Sequence, residues 1–232
     1  MGTDGINGAQ LDLLVLAAFE PELAAIADAL GGNDARVGDL AVALRLTGVG
    51  LAAAAVGATR HVGELAPRAV VLVGSCGAYT GTRLTLGDVV VSERLTLVDP
   101  SSLEGKTEFP PPMATSLEAD AALALGLVTA GGRACSVATT LAITVDDPLA
   151  ARIASSTGVE VEHLETHGVA LACAALRAPF AAVLGVANMV GALGRRQWLA
   201  HHREAEAAAG AQVLRWLRAG APGFPARGGP PR

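Results

Sequence analysis

Lysine is nearly missing from this 232-residue chain: Lys106 stands alone among 17 basic residues, and the rest are arginine. That imbalance points to a biased genome rather than to a function. Basic residues do not cluster beyond Arg195-Arg196 and the formal net charge is −5, so no nucleic-acid partner is expected. Cysteine is scarce as well. Cys76, Cys135 and Cys173 are odd in number and lie in apolar surroundings, which excludes a disulfide framework or a metal spacing. The five histidines make no HExxH pattern, and His201-His202 reads as a solvated helix surface. Apolar residues reach 51%, yet no uninterrupted run is long enough to cross a bilayer. The opening MGTDGINGAQ has neither a basic nor an apolar leader region and is read as a flexible start rather than a secretion signal. The expectation is a soluble, cytoplasmic protein with no membrane partner, no metal and no cofactor.

What remains is an alternation of strand and helix patterns. Strands are expected over Leu11–Ala17, Leu40–Thr47, Ala69–Val73, Asp88–Leu97, Arg133–Thr139, Val159–Glu162 and Pro179–Asn188. Helices are expected over Pro21–Leu30, Leu51–Leu65, Leu117–Leu127, Asp147–Ser156, Thr166–Leu176 and Arg195–Ala219, with Pro21 and Pro148 in first turns. Gly38-Asp39 predicts a hairpin near the start. The stretch Asp99–Thr115, with three successive prolines at 110–112, reads as a loop long enough to act as a lid or a partner contact. Residues 11–219 form a single domain in this reading, between a flexible segment 1–10 and a disordered tail 220–232. The fold class is α/β, three-layered, with a central mixed, mostly parallel sheet flanked by helices.

Two glycine-rich turns follow predicted elements: Gly48-Val49-Gly50 and Gly74-Ser75-Cys76-Gly77. The first lacks the third glycine of a dinucleotide fingerprint, since Ala53 stands there. The second is not GxSxG, so no nucleophile elbow is expected. Glycine lets a backbone approach a ligand closely, and its N–H groups can hold an oxygen-rich group; a plain tight turn is the alternative. Cys76 has no histidine near it in sequence and reads as a small packing residue. The apolar run Pro179–Asn188 delivers one amide, Asn188, to the carboxyl edge of the sheet, where open α/β sheets bind ligands.

These turns, together with VEVEHLETHGVALAC (159–173) and the strand ending at Asn188, resemble the nucleoside phosphorylase and nucleosidase superfamily. That group includes purine nucleoside phosphorylase, methylthioadenosine/S-adenosylhomocysteine nucleosidase and futalosine hydrolase. VGSCGA (73–78) is similar to the phosphorylase signature, and AAFEPEL (17–23) to the acidic start of the nucleosidases. EHLE (162–165) resembles the family's Met-Glu motif, and ANMVGALGRRQW (187–198) looks most like futalosine hydrolase.

The resemblance implies cleavage of a nucleoside's N-glycosidic bond through a ribosyl oxocarbenium-like transition state, by water or by phosphate. It assigns Glu165 to the ribose, with Leu164 in the methionine's place, and Glu22 to water activation, with Glu20 as its near competitor. It places Ser75, Cys76 and Gly77 at the ligand, Ile143 at the base and Phe19 at the sugar. His163 stands where nucleosidases often carry Glu; it is counted with the binding residues, although a satisfied, partly exposed histidine is the plainer reading. Leu72 stands where phosphorylases carry a phosphate-binding arginine. That favours water as nucleophile unless Arg60 or Arg83 replaces the clamp.

Asn188 falls where adenine-cleaving members carry aspartate. An amide NH2 faces acceptors, here N7 and a 6-oxo oxygen, and so argues for a hypoxanthine- or guanine-type base. A turn-forming asparagine is the alternative. The expectation is a futalosine-like 6-oxopurine nucleosidase, acting on a small-molecule nucleoside and assembled as a homo-oligomer, a dimer by resemblance. A phosphate-dependent purine nucleoside phosphorylase is the second reading. A nucleoside-binding protein without activity is the third, kept open by Leu72, His163 and Leu164.

Overall fold

The computed structural model describes residues 11–226. The expected flexibility of residues 1–10 and the end of the expected disordered tail, 227–232, lie outside the described residues. The first half contains β1 (Leu13–Ala17), α1 (Glu20–Leu30), β2 (Asp34–Val37), β3 (Leu40–Leu46), α2 (Leu51–Leu65), β4 (Ala69–Ala78), β5 (Val89–Leu97) and α3 (Pro100–Leu103). The second contains β6 (Ser116–Glu118), α4 (Ala121–Thr129), β7 (Arg133–Thr139), α5 (Asp147–Thr157), β8 (Val161–Glu162), α6 (Thr166–Ala175), β9 (Phe180–Met189) and α7 (Gly194–Arg218).

The strands form one mixed sheet in the order β2-β3-β1-β4-β8-β7-β5-β6, and β9 pairs with both β4 and β5. Pairings β1–β3, β1–β4, β4–β9, β5–β7 and β7–β8 are parallel. The β2–β3 hairpin at Gly38-Asp39 is antiparallel, in keeping with its turn residues. Because β9 bridges β4 and β5, strands β4, β8, β7, β5 and β9 close into a ring.

Both faces of the sheet are covered, which is why its central strands read as unbroken apolar runs rather than alternating ones. Along β4, Val70 and Leu72 pack with Ala54, Ala58, Val169 and Cys173 from α2 and α6. Val71 and Val73 pack on the other face with Ile26, Val213 and Trp216 from α1 and α7. Two glycines let α7 lie close. A Cβ on Gly185 would fall 2.0 Å from the Ala205 carbonyl oxygen, and one on Gly210 would fall 3.1 Å from Ile26.

The structure departs from the sequence expectations in four places. Gly74-Ser75-Cys76-Gly77 is not a turn: β4 continues through it to Ala78, held by β9 along its length, with a register shift between Cys76 and Gly77. Leu117 begins no helix. Residues 116–118 form β6 against β5, and α4 starts only after Asp120, whose side chain accepts from Leu123 N and caps it. The 99–115 segment carries α3, capped by Asp99. The tail is packed as far as it is described: Trp216 Nε1 donates to Pro222 O at 2.9 Å, and Phe224 lies 6.0 Å from the Trp216 ring with the Arg68 guanidinium over it.

Candidate active site

The carboxyl ends of the parallel strands β1, β4 and β9 open on a cavity of about 370 Å³, within the range of small-molecule sites. Helix N-termini of α1 and α7, the 140–146 loop and the β8–α6 connection complete its wall. Every residue assigned to the ligand from the sequence lines it: Phe19, Glu22, Ser75, Cys76, Gly77, Ile143, His163, Leu164, Glu165 and Asn188.

Pro21 in the first turn of α1 fixes the rotation of that helix, and only one of the two candidate glutamates turns inward. Glu20 is exposed; Glu22 is 3% exposed. Its Oε2 accepts from Ala18 N at 2.8 Å and its Oε1 from Ser75 N at 3.3 Å. Burial outweighs those two donors and pushes the Glu22 pKa up to about 8, with the nearby Glu165 and Glu206 carboxyls adding to the rise. A carboxyl tuned into this range can exchange a proton near neutrality.

Glu165 precedes α6 and is buried. Gly50 N donates to its Oε1 at 2.7 Å. Gly48 and Gly50 both adopt positive φ, 98° and 86°. The glycine turn at 48–50 therefore does present an N–H group to an oxygen-rich partner, but the partner is the chain's own carboxylate.

His163 is 4% exposed, not partly exposed as its sequence surroundings suggested. Its Nδ1 accepts from Glu165 N at 3.4 Å, contacts Thr166 Oγ1 at 2.7 Å and lies 3.3 Å from Glu165 Oε2. Burial lowers its pKa, with Glu165 pulling the other way, which favours the neutral ring. A third carboxylate on the wall, Glu162, is fully committed: Tyr79 OH donates to Oε2 at 2.8 Å, Thr144 Oγ1 donates to Oε2 at 2.6 Å, and Thr144 N donates to Oε1 at 2.9 Å. That network fixes the 140–146 loop, and with it Ile143 and Val145, over the cavity.

The glycines of the 74–77 segment make room for side chains. A Cβ on Gly77 would fall 2.8 Å from Asn188 Nδ2, its partner in the β4–β9 register. Asn188 Nδ2 donates to Met189 O at 3.0 Å, which leaves the second N–H and Oδ1 for a ligand. Ser75 Oγ accepts from Trp198 Nε1 at 3.1 Å. Cys76 is 2% exposed and burial holds its thiol far above the usual range, so it packs and does not attack.

Leu72 is fully buried in the core, not in the cavity. The residue at 72 therefore does not bear on phosphate. Arg60 lies beside His61 on α2, and Arg83 lines a separate surface depression with Arg133. The cation on the cavity wall is Arg195, whose guanidinium lies 5.2 Å from the Trp198 ring centroid. Arg195 and Trp198 were not singled out as site residues from the sequence. Their signal was the i, i+3 spacing at a helix start, which puts both side chains on one face.

The sequence profile of the phosphorylase superfamily matches residues 12–219. The chain belongs to that superfamily. Among curated proteins none matches the chain in sequence. Among solved structures, the 5′-methylthioadenosine/S-adenosylhomocysteine nucleosidase of Neisseria meningitidis, in complex with methylthio-immucillin-A, is similar to it with a TM-score of 0.80 and 19% identity. That match covers 90% of this chain and 99% of the other. The corresponding nucleosidase of Colwellia psychrerythraea, in complex with adenine, gives 0.79 and 18%, covering 90% and 95%. The futalosine hydrolase of Helicobacter pylori gives 0.79 and 14%, covering 89% and 97%. At these identities the likeness fixes the shared α/β fold.

Proposed function

We propose that this protein hydrolyses the N-glycosidic bond of a purine nucleoside, with a 6-oxopurine as the leaving base. The observation that carries the reading is the cavity's division of labour. Two buried carboxyls, Glu22 and Glu165, face each other across a neutral His163, and a lone amide, Asn188, stands at the strand end. In this mechanism Glu165, held ready by Gly50 N, accepts from ribose hydroxyls and stabilises the oxocarbenium charge. Glu22 takes a proton from the attacking water. The free Asn188 N–H is shared by N7 and O6 of the base, where charge collects as the bond breaks; no carboxylic proton is donated there. Phe19, Leu164 and Ile143 supply the apolar walls.

Phosphorolysis is the second reading, because exposed Arg195 on the cavity wall offers a guanidinium to an anion. A panel of purine nucleosides assayed for free base with and without phosphate separates the two. Release from inosine or futalosine that needs no phosphate is the expected result; a strict phosphate requirement would establish the second reading, and base binding without release the non-catalytic one. No described helix is long and apolar enough to cross a membrane. Val49, Ile143 and Val145 line the cavity while remaining 63%, 49% and 57% exposed. We read this apolar rim as the surface that a second copy covers in a dimer, with the cytoplasm as the compartment.

A further inference from the structure

Behind the cavity wall, α7 carries a second acid–base pair. Glu206 is 2% exposed; its Oε1 lies 2.9 Å from His202 Nδ1, and its Oε2 has no hydrogen-bond partner among the described residues. The half-buried His202 ring stacks on Trp198, with centroids 4.2 Å apart and 13° between planes. Trp198 Nε1 donates to Ser75 Oγ, and Ser75 N donates to Glu22 Oε1. Contacts therefore run without a break from the surface of α7 to the carboxyl of Glu22.

Backbone packing explains why the two carboxyls lie close. Ser75 pairs with Gly185 in the β4–β9 register, and Gly185 is where Ala205 of α7 touches the sheet. Glu206 is the next residue. One helical turn on, Gly210 fits against Ala25 and Ile26 of α1. Four residues earlier than Gly210 stands Glu206, and four earlier than Ile26 stands Glu22.

We propose that Glu206, held by His202, is a positioning residue for the reaction: its buried charge, one layer behind the cavity, sets the pH at which Glu22 gives up its proton. The inference rests on the reading of Glu22 as the general base. Two carboxyls in one poorly hydrated region resist ionising together. A charged Glu206 holds the proton on Glu22 to higher pH. The Glu22 pKa is raised by its burial first and then by the fields of Glu165 and Glu206, in line with this arrangement. The other groups facing Glu22 are the neutral His163, the Ser75 N–H and the wall residue Arg195; those facing Glu206 are His202, Arg203 and Ser75.

The test is a titration that needs no turnover. In protein labelled with ¹³C-carboxyl glutamate, the Glu22 signal is identified by its loss in Glu22→Gln. Glu206→Gln keeps the shape and an acceptor for His202 but removes the charge. The expected result is a Glu22 midpoint lower by about half a pH unit or more, restored toward the parent value in Glu206→Asp. An unchanged midpoint in Glu206→Gln overturns the inference. If the protein hydrolyses nucleosides, the rising limb of kcat/KM against pH should follow the same shifts, whereas mere structural damage would lower the plateau and leave the limb in place. An inactive protein would sink the hydrolase reading alone and leave the titration to decide this one.

Discussion

Oε1 of Glu22 and Nε2 of His163 converge over a single glycine: a Cβ on Gly74 would lie 2.7 Å from the first and 3.0 Å from the second. On the other side of the ring, Nδ1 lies 3.4 Å from Glu165 N and 3.3 Å from Glu165 Oε2. The histidine thereby ties the α1 carboxyl to the carboxyl that opens α6, two groups 143 positions apart in the chain. The substitution expected to break this arrangement is Gly74→Ala, which needs no positive φ and so keeps the strand while pushing the pair apart. Turnover should fall about 100-fold, the cost of roughly an ångström of misplacement, with circular dichroism unchanged. Full activity would mean that the pair does not act as one unit.

Glu22→Gln should lower turnover about 10²- to 10⁴-fold if this residue is the general base. Its effect on stability should run the other way, and the sign follows from linkage. The Glu22 pKa is raised to about 8 by burial, from 4.5, so the folded state holds this proton more tightly than the unfolded chain does. That contribution is fully present below about pH 4.5 and is lost as pH rises toward 8. Glutamine stays neutral, so the variant should melt several degrees higher than the parent at pH 8.5 and at nearly the same temperature at pH 4.5, on the order of a few kcal/mol at the high end. Calorimetry at the two pH values checks this. A variant that is less stable at both would contradict the assignment of Glu22 as a buried, proton-holding group.

Asn188→Asp should shift preference toward adenine nucleosides. An aspartate there would face Met189 O, where the amide now donates, and is pressed to keep a proton. A protonated acid can donate to N7 while its other oxygen accepts from the 6-amino group. The ratio of kcat/KM for adenosine over inosine should rise by about tenfold or more, the worth of one well-placed hydrogen bond. An unchanged ratio would remove Asn188 from base selection.

Glu165→Gln should cut turnover on every nucleoside by about 100-fold, since the amide offers no charge to the oxocarbenium. It should also narrow the gap between a ribonucleoside and its 2′-deoxy counterpart. Comparing both substrates in both proteins separates ribose recognition from general damage; a variant with normal turnover would take Glu165 out of the mechanism.

Much of this site was legible because it sits where short motifs meet element ends. The likeness of AAFEPEL and EHLE to the superfamily's motifs located Glu22 and Glu165, and the apolar run ending at Asn188 located the sheet edge. The 74–77 segment misled because glycine was read as a signature of turning. Its glycines are instead places where neighbouring side chains need the volume: Glu22 and His163 at Gly74, and Asn188 at Gly77. Such a reason is invisible without the partner strand and helix in place. Leu72 misled because both faces of β4 are buried in core at that depth, and the strand meets the cavity only from Ser75 onward. Residues 116–118 read as helix because their apolar pattern was too short to show a period, and the cap at Asp120 decided the matter. Arg195 and Trp198 reach the cavity only because α7 begins at its rim.

Helix α7 runs for 25 residues, about 37 Å at 1.5 Å per residue, with Trp198 at the cavity and Trp216 sealed beneath the 221–224 segment. One rigid rod therefore carries both a wall of the pocket and a main block of the core. Heat cannot loosen the first while sparing the second. Inactivation and global melting should coincide in temperature, and the amide hydrogens around residues 205–214 should exchange with solvent as slowly as any in the molecule.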